Sequence, residues 1–251
     1  MAQRNSNALA CGKATAGIMN AFGMVAWISL ALAFFCAAVI AYDEFRHPQK
    51  MWIMNIVWPV TALYFSVFAL WAYFRFGTGN QKMSAESITG HQRDLMRQSR
   101  KEPTSADIGI SDSHCGAGCT IGDIIAGFVL FALGWTLFGK PLFAQYAADL
   151  LLAWLLGIIF QYFTIMPLRH LSTLQALLAA IKSDTLSILA FEIGLFAWMA
   201  LTSFVFFPSP HLRVTGPDYC FMMQIGMIFG FVTSYPMNRW LIKAGWKHAM
   251  V

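Results

Sequence analysis

The amino-acid sequence predicts an all-α fold: a polytopic membrane bundle of about six transmembrane helices. Three observations predict it. The chain has 251 residues, 58% of them hydrophobic and only 12% charged, where soluble domains carry roughly 25% charged residues. Its mean hydropathy is +0.57. Apolar runs of about 20 residues recur along it, the length that a helix rising ~1.5 Å per residue needs to cross a hydrocarbon core of ~30 Å. So much apolar surface needs lipid as its solvent. The net charge of +5 then reads as topology information, not as a nucleic-acid footprint.

The expected spans are residues 18–42, 51–74, 120–138, 142–166, 185–207 and 221–241. The first apolar run is longer than the 7–15 residues of a signal-peptide core, which argues for a retained helix. The spans divide the chain into an N-terminal two-helix hairpin (1–75), a polar cytoplasmic linker (76–114) with a short helix around 84–98, and a four-helix membrane domain (115–251). Six spans put both termini on one side. Of the 17 Lys and Arg, only Arg46, Lys50, Lys140 and Arg213 fall on the other side, so the positive-inside rule places both termini in the cytoplasm. Trp52, Trp58, Trp71, Trp240 and Trp246 stand near span ends, where interfacial aromatics gather.

The four C-terminal spans carry an internal similarity. Residues 157–167 read GIIFQYFTIMP and residues 226–236 read GMIFGFVTSYP, identical at Gly, Ile, Phe, Thr and Pro. Each segment ends a span, and an acid, Asp123 or Asp184, stands at the start of the preceding arm. One reading is a repeat of two parallel-related hairpins, an arrangement in which transporters place their sites between the repeats. The other is chance, since these residues are common in membrane helices.

The densest chemistry lies in residues 113–123, Ser-His-Cys-Gly-Ala-Gly-Cys-Thr-Ile-Gly-Asp. Cys115, Cys119 and Asp123 follow i, i+4, i+8 and share one helix stripe. Two thiolates with the adjacent His114 suit a soft ion such as Cu(I) or Zn(II), held on a ledge at the cytoplasmic face. Gly118, Gly122 and Ala126 form a second stripe that lets another helix approach closely. The alternative for the cysteines is that they are small buried residues in that contact. The five cysteines, odd and scattered, make no disulfide framework.

Carboxyl groups inside spans are costly and mark ion or proton pathways. Glu192, Asp149 and Asp123 are the candidates for a proton or ion relay. Asp123 and Asp184 also stand where an acid complements a helix N-terminus. Asn55, Gln161 and Gln224 lie within spans as hydrogen-bonding partners. Met51, Met54, Met222 and Met223, with Met199 and Cys220, fall toward the outer face, where thioethers would form a soft-donor mouth; Met is equally a filler of apolar helices. All six histidines fall outside the expected spans, which argues against a bis-histidine haem. No phosphate loop, zinc-protease motif or nucleophile elbow is present, so an enzyme is disfavoured.

Residues 114–123 (HCGAGCTIGD), 54–64 (MNIVWPVTALY), 191–196 (FEIGLF), 223–227 (MQIGM) and 233–236 (TSYP) resemble the bacterial membrane family known as domain of unknown function 4396. The resemblance covers the second span and spans three to six. It implies a multi-pass protein of the bacterial inner membrane and carries no established activity. The functional expectation is therefore read from the residues. It is a membrane protein that binds or transports a soft metal ion, foremost Cu(I), with the bilayer around it and a metal ion or metallochaperone as partner, and no nucleic acid. The alternative is a non-catalytic accessory subunit, in an oligomer or larger complex.

Overall fold

The computed structural model describes residues 2–49, 51–78, 104–139, 141–169, 173–208 and 212–247, except for the side chains of 2–19 and 165–169. The short helix expected around 84–98 lies outside the described residues. The chain is a helical membrane bundle. Helix α1 spans Ala2–Arg46, α2 Met54–Phe65 and α3 Val67–Ala72, followed by a π-helical turn at Tyr73–Gly77. Four long helices complete it: α4 Ser105–Leu133, α5 Pro141–Arg169, α6 Thr173–Leu201, which runs on into a π turn at Thr202–Phe206, and α7 Pro217–Lys243. Within α1 the stretch Asn20–Arg46 is apolar enough to span, and α4 to α7 each supply one more candidate span.

The second expected span is broken. At Ser66 the backbone turns to φ 48° and ψ −117°, a conformation that favours glycine, and it separates α2 from α3. Pro59 inside α2 already removes one helical donor. The Nε2 of Gln224, on α7, donates to the Leu63 carbonyl at 2.6 Å, while its Oε1 accepts from Ser29 of α1 at 2.9 Å. One side chain thus supports the carbonyl next to the break and ties three elements together. Lipid cannot satisfy a freed backbone group, so a protein donor must.

Helix α4 begins at Ser105, well before the apolar run that marks it in sequence. Thr104 and Asp107 form a capping box: the Asp107 amide donates to Thr104 Oγ1 at 3.3 Å and the Thr104 amide to Asp107 Oδ2 at 2.8 Å. These reciprocal bonds occupy two orphan donors of the first turn. The last ten residues of the segment expected as linker are consequently helix. His114, expected outside the membrane helices, lies within α4 and is fully buried.

The two hairpins α4–α5 and α6–α7 are the tightest helix pairs. They join through α5 against α6 and α4 against α7. Helix α1 packs on α2, α3 and α7. Between α4 and α5 the backbones nearly touch: a Cβ on Gly122 would lie 2.5 Å from the Ala153 nitrogen, and one on Gly118 3.0 Å from the Gly157 Cα. The bundle encloses apolar clusters and a set of buried acids, and presents large apolar side chains outward. Phe34, Phe68, Trp71, Phe128 and Phe131 are all more than half exposed, while Asp112, Asp123, Asp149, Asp184 and Glu192 are buried. Lipid covers the first set, and the second needs partners within the protein.

Candidate functional site

A row of polar side chains runs through the bundle. It starts just beyond α7. Gly245, at φ 72°, turns the chain back, and Lys247 places its Nζ 2.6 Å from Asp184 Oδ1 on α6, both side chains fully buried. Burial disfavours the Lys247 ammonium, but its acidic neighbours, Asp184 foremost, together outweigh burial and hold the pKa above its ordinary 10.5. Trp246 rests against Trp240 and accepts the Lys182 ammonium over its ring at 4.5 Å, which pins this return.

One turn deeper, Asp112 of α4 accepts from Ser234 at 2.7 Å and from the Asn238 amide, both on α7. The Ser187 hydroxyl of α6 bridges onward, within 2.9 Å of Asn238 Oδ1 and 3.3 Å of the Cys115 sulfur. Cys115 and Cys119 are a helical turn apart on α4 and both are fully buried. Glu192 of α6 stands beside the Cys119 thiol. Asp123, the third member of the Cys115–Cys119 stripe, lies within electrostatic reach of Glu192 and Asp149, and Asp149 accepts from Gln145 Nε2 at 2.6 Å. Neither oxygen of Asp123 or of Glu192 has a hydrogen bond of ordinary geometry among the described residues. The row thus begins with a closed ion pair and ends in three carboxyl groups without a basic neighbour among the described residues.

His114 is not part of it. One position along the helix from Cys115, it points about 100° away, and its Nε2 lies 2.9 Å from Thr164 Oγ1 on α5. The four methionines divide: Met51 and Met54 pack in the cluster around α1 and α2, Met222 and Met223 in the cluster among α4, α6 and α7. Among the described residues no three His, Cys, Asp or Glu side chains are grouped as a ready metal site. Gly118, Gly122 and Ala126 lie against α5 or in the buried core, not in the polar row.

Six participants escape a reading of the sequence: Asp112, Gln145, Ser187, Ser234, Asn238 and Lys247. Asp112 and Lys247 lie outside the apolar runs, and Asn238 is one amide among many polar residues near a span end. One further signal was available. The 69-residue step from Gly157 to Gly226 also carries Asp123 onto Glu192, Asp149 onto Asp218 and Thr164 onto Thr233. In the fold each of these threonines bonds to the first arm of its own hairpin, Thr164 to His114 and Thr233 to the Ala190 carbonyl at 2.7 Å. The counterpart of Asp123 in this register is therefore Glu192, the acid within its electrostatic reach, rather than Asp184.

A family model described as Domain of unknown function (DUF4396) matches residues 106–247. The chain belongs to this family. The DUF4396 segment contains the whole polar row, from Asp112 to the closing Lys247, and leaves out α1 to α3. No curated protein and no solved structure matches the chain.

Proposed function

We propose that this protein is a cation carrier of the bacterial inner membrane, with both termini cytoplasmic. Its cargo is a soft metal ion, Cu(I) foremost, and buried carboxyl groups hold protons in exchange for it. One observation carries the reading: Cys115 and Cys119 are buried a helical turn apart on the stripe that ends at Asp123, and the carboxyl oxygens of Asp123 and Glu192 are buried without a hydrogen-bond partner among the described residues. A carboxyl group at this depth needs a proton, a cation or water. Thiolate donors select Cu(I) over hard ions. The positions of the 17 basic residues support the orientation.

In this reading Cys115 and Cys119 ligate the ion, with Glu192 beside them as the group that exchanges a proton for its charge. Asp123 and Asp149 continue the path toward the far end. Ser187, Asn238 and Asp112 continue it toward the terminus side, where the Lys247–Asp184 pair closes it. His114 is a structural residue that joins α4 to α5.

The test is Cu(I) affinity and metal content of the purified protein under reducing conditions, with wild type beside Cys115→Ser/Cys119→Ser. Binding by wild type that the double variant loses is the expected result, together with copper uptake into proteoliposomes that Glu192→Gln abolishes. Equal metal content and affinity in both proteins would overturn the reading and leave the accessory-subunit alternative in front.

A further inference from the structure

A second feature reaches the same acids from another direction. A cavity of about 360 Å³ opens between α1, α4 and α7. Its mouth is framed by Phe34, Phe128 and Phe131, whose side chains are on the lipid-facing surface at 64–69% exposure. The opening is therefore lateral, toward the acyl chains. Its wall is almost wholly apolar, with Met227 and Tyr219 deeper in. At the inner end stands Asp123, only 2% exposed, with both carboxyl oxygens unpartnered among the described residues.

We propose that this cavity binds an amphipathic organic cation that partitions into the membrane, its positive group at Asp123 and its apolar body along the α1–α4 opening. The volume falls in the range of ~300–1,000 Å³ typical of small-molecule sites, which combine apolar walls with a few placed polar groups. An acyl chain or other neutral occupant would fill the wall but offer the Asp123 carboxyl no partner, leaving it to a proton or water. A cation answers it, and the Tyr219 ring, which also lines the cavity, adds a favourable face for a quaternary ammonium. The site uses neither thiol and does not depend on the soft-metal reading.

The experiment measures binding of benzyltrimethylammonium to the full chain in lipid nanodiscs, beside neopentylbenzene, its neutral isostere. Wild type should bind the cation at least about tenfold more tightly than the isostere, and Asp123→Asn should lose that preference. Gly127 also lines the cavity, and a Cβ there meets its nearest atom at 3.8 Å. Gly127→Leu should therefore fill the space without moving a helix, and weaken both probes. Cys115→Ser/Cys119→Ser should bind the cation as wild type does, which separates this site from the metal site. Equal affinity of wild type for the two probes would overturn the proposal and mark a lipid groove. So would cation binding unchanged by both Asp123→Asn and Gly127→Leu.

Discussion

The Lys247–Asp184 pair closes one end of the polar row, and its removal has a calculable cost. At 2.6 Å the direct attraction is about 6 kcal/mol for an effective dielectric constant of about 20. Much of this offsets the desolvation of two fully buried groups. Lys247→Met leaves the Asp184 carboxylate without its counter-ion, and breaking a buried pair in this way costs about 3–5 kcal/mol. In a chain of this size that is a fall of about 6–20 °C in Tm. Replacing both partners, as Lys247→Met/Asp184→Leu, removes the stranded charge and should recover most of the loss. The assay is thermal unfolding in detergent followed by tryptophan fluorescence, arranged as a double-mutant cycle. The pH dependence follows from the sign of the shift. The Lys247 pKa is raised above 10.5 by its partners, so the stabilisation is complete below about pH 10.5 and is lost as pH rises through the higher native value. Wild-type stability should converge on that of Lys247→Met only in that alkaline range. A single variant within ~1 kcal/mol of wild type at pH 7, or a double variant whose losses simply add, would refute the reasoning.

Two further predictions concern the helices that position the row. Gly122→Ala pushes a methyl group to within 2.5 Å of the Ala153 nitrogen and 2.8 Å of its Cα. Backbone cannot yield as a side chain can, so overpacking of about 1–3 kcal/mol should outweigh the helix-propensity gain of ~1 kcal/mol; Gly127→Ala, whose methyl would meet Gln145 Nε2 at an ordinary contact distance of 3.8 Å, should keep the gain, and a melting comparison of the two alanine variants decides the matter. Gln224→Leu removes the donor to the Leu63 carbonyl and the acceptor of Ser29. Stranding those groups should cost about 1–3 kcal/mol, and amide hydrogen exchange should rise around Ser66 first, where the helix is already broken.

Helix existence was legible from the sequence, and so was much of the row. Cys115, Cys119 and Asp123 share a stripe because helical periodicity is local, and Glu192 was conspicuous as an acid in an apolar run. The start of α4 was hidden because hydropathy registers the apolar stretch, whereas the capping box at Thr104–Asp107 sets where the helix begins. That difference carries His114 and the thiols from an expected surface ledge to a buried position.

The sequence by itself determined that this chain lives in a bilayer as a bundle of helices. Burial of apolar area and the length of each run are properties of single segments, and the solvent enforces them. It also pointed to part of the polar row: Cys115, Cys119, Asp123, Asp149 and Glu192. Only the tertiary structure decided which side chains meet: that His114 turns to Thr164, that Glu192 comes within electrostatic reach of Asp123 beside Cys119, that the methionines part into two clusters, and that Lys247 folds back onto Asp184. Those outcomes depend on helix rotation and on the close approach allowed by Gly118 and Gly122, terms set by pairs of helices distant in the chain rather than by either one alone.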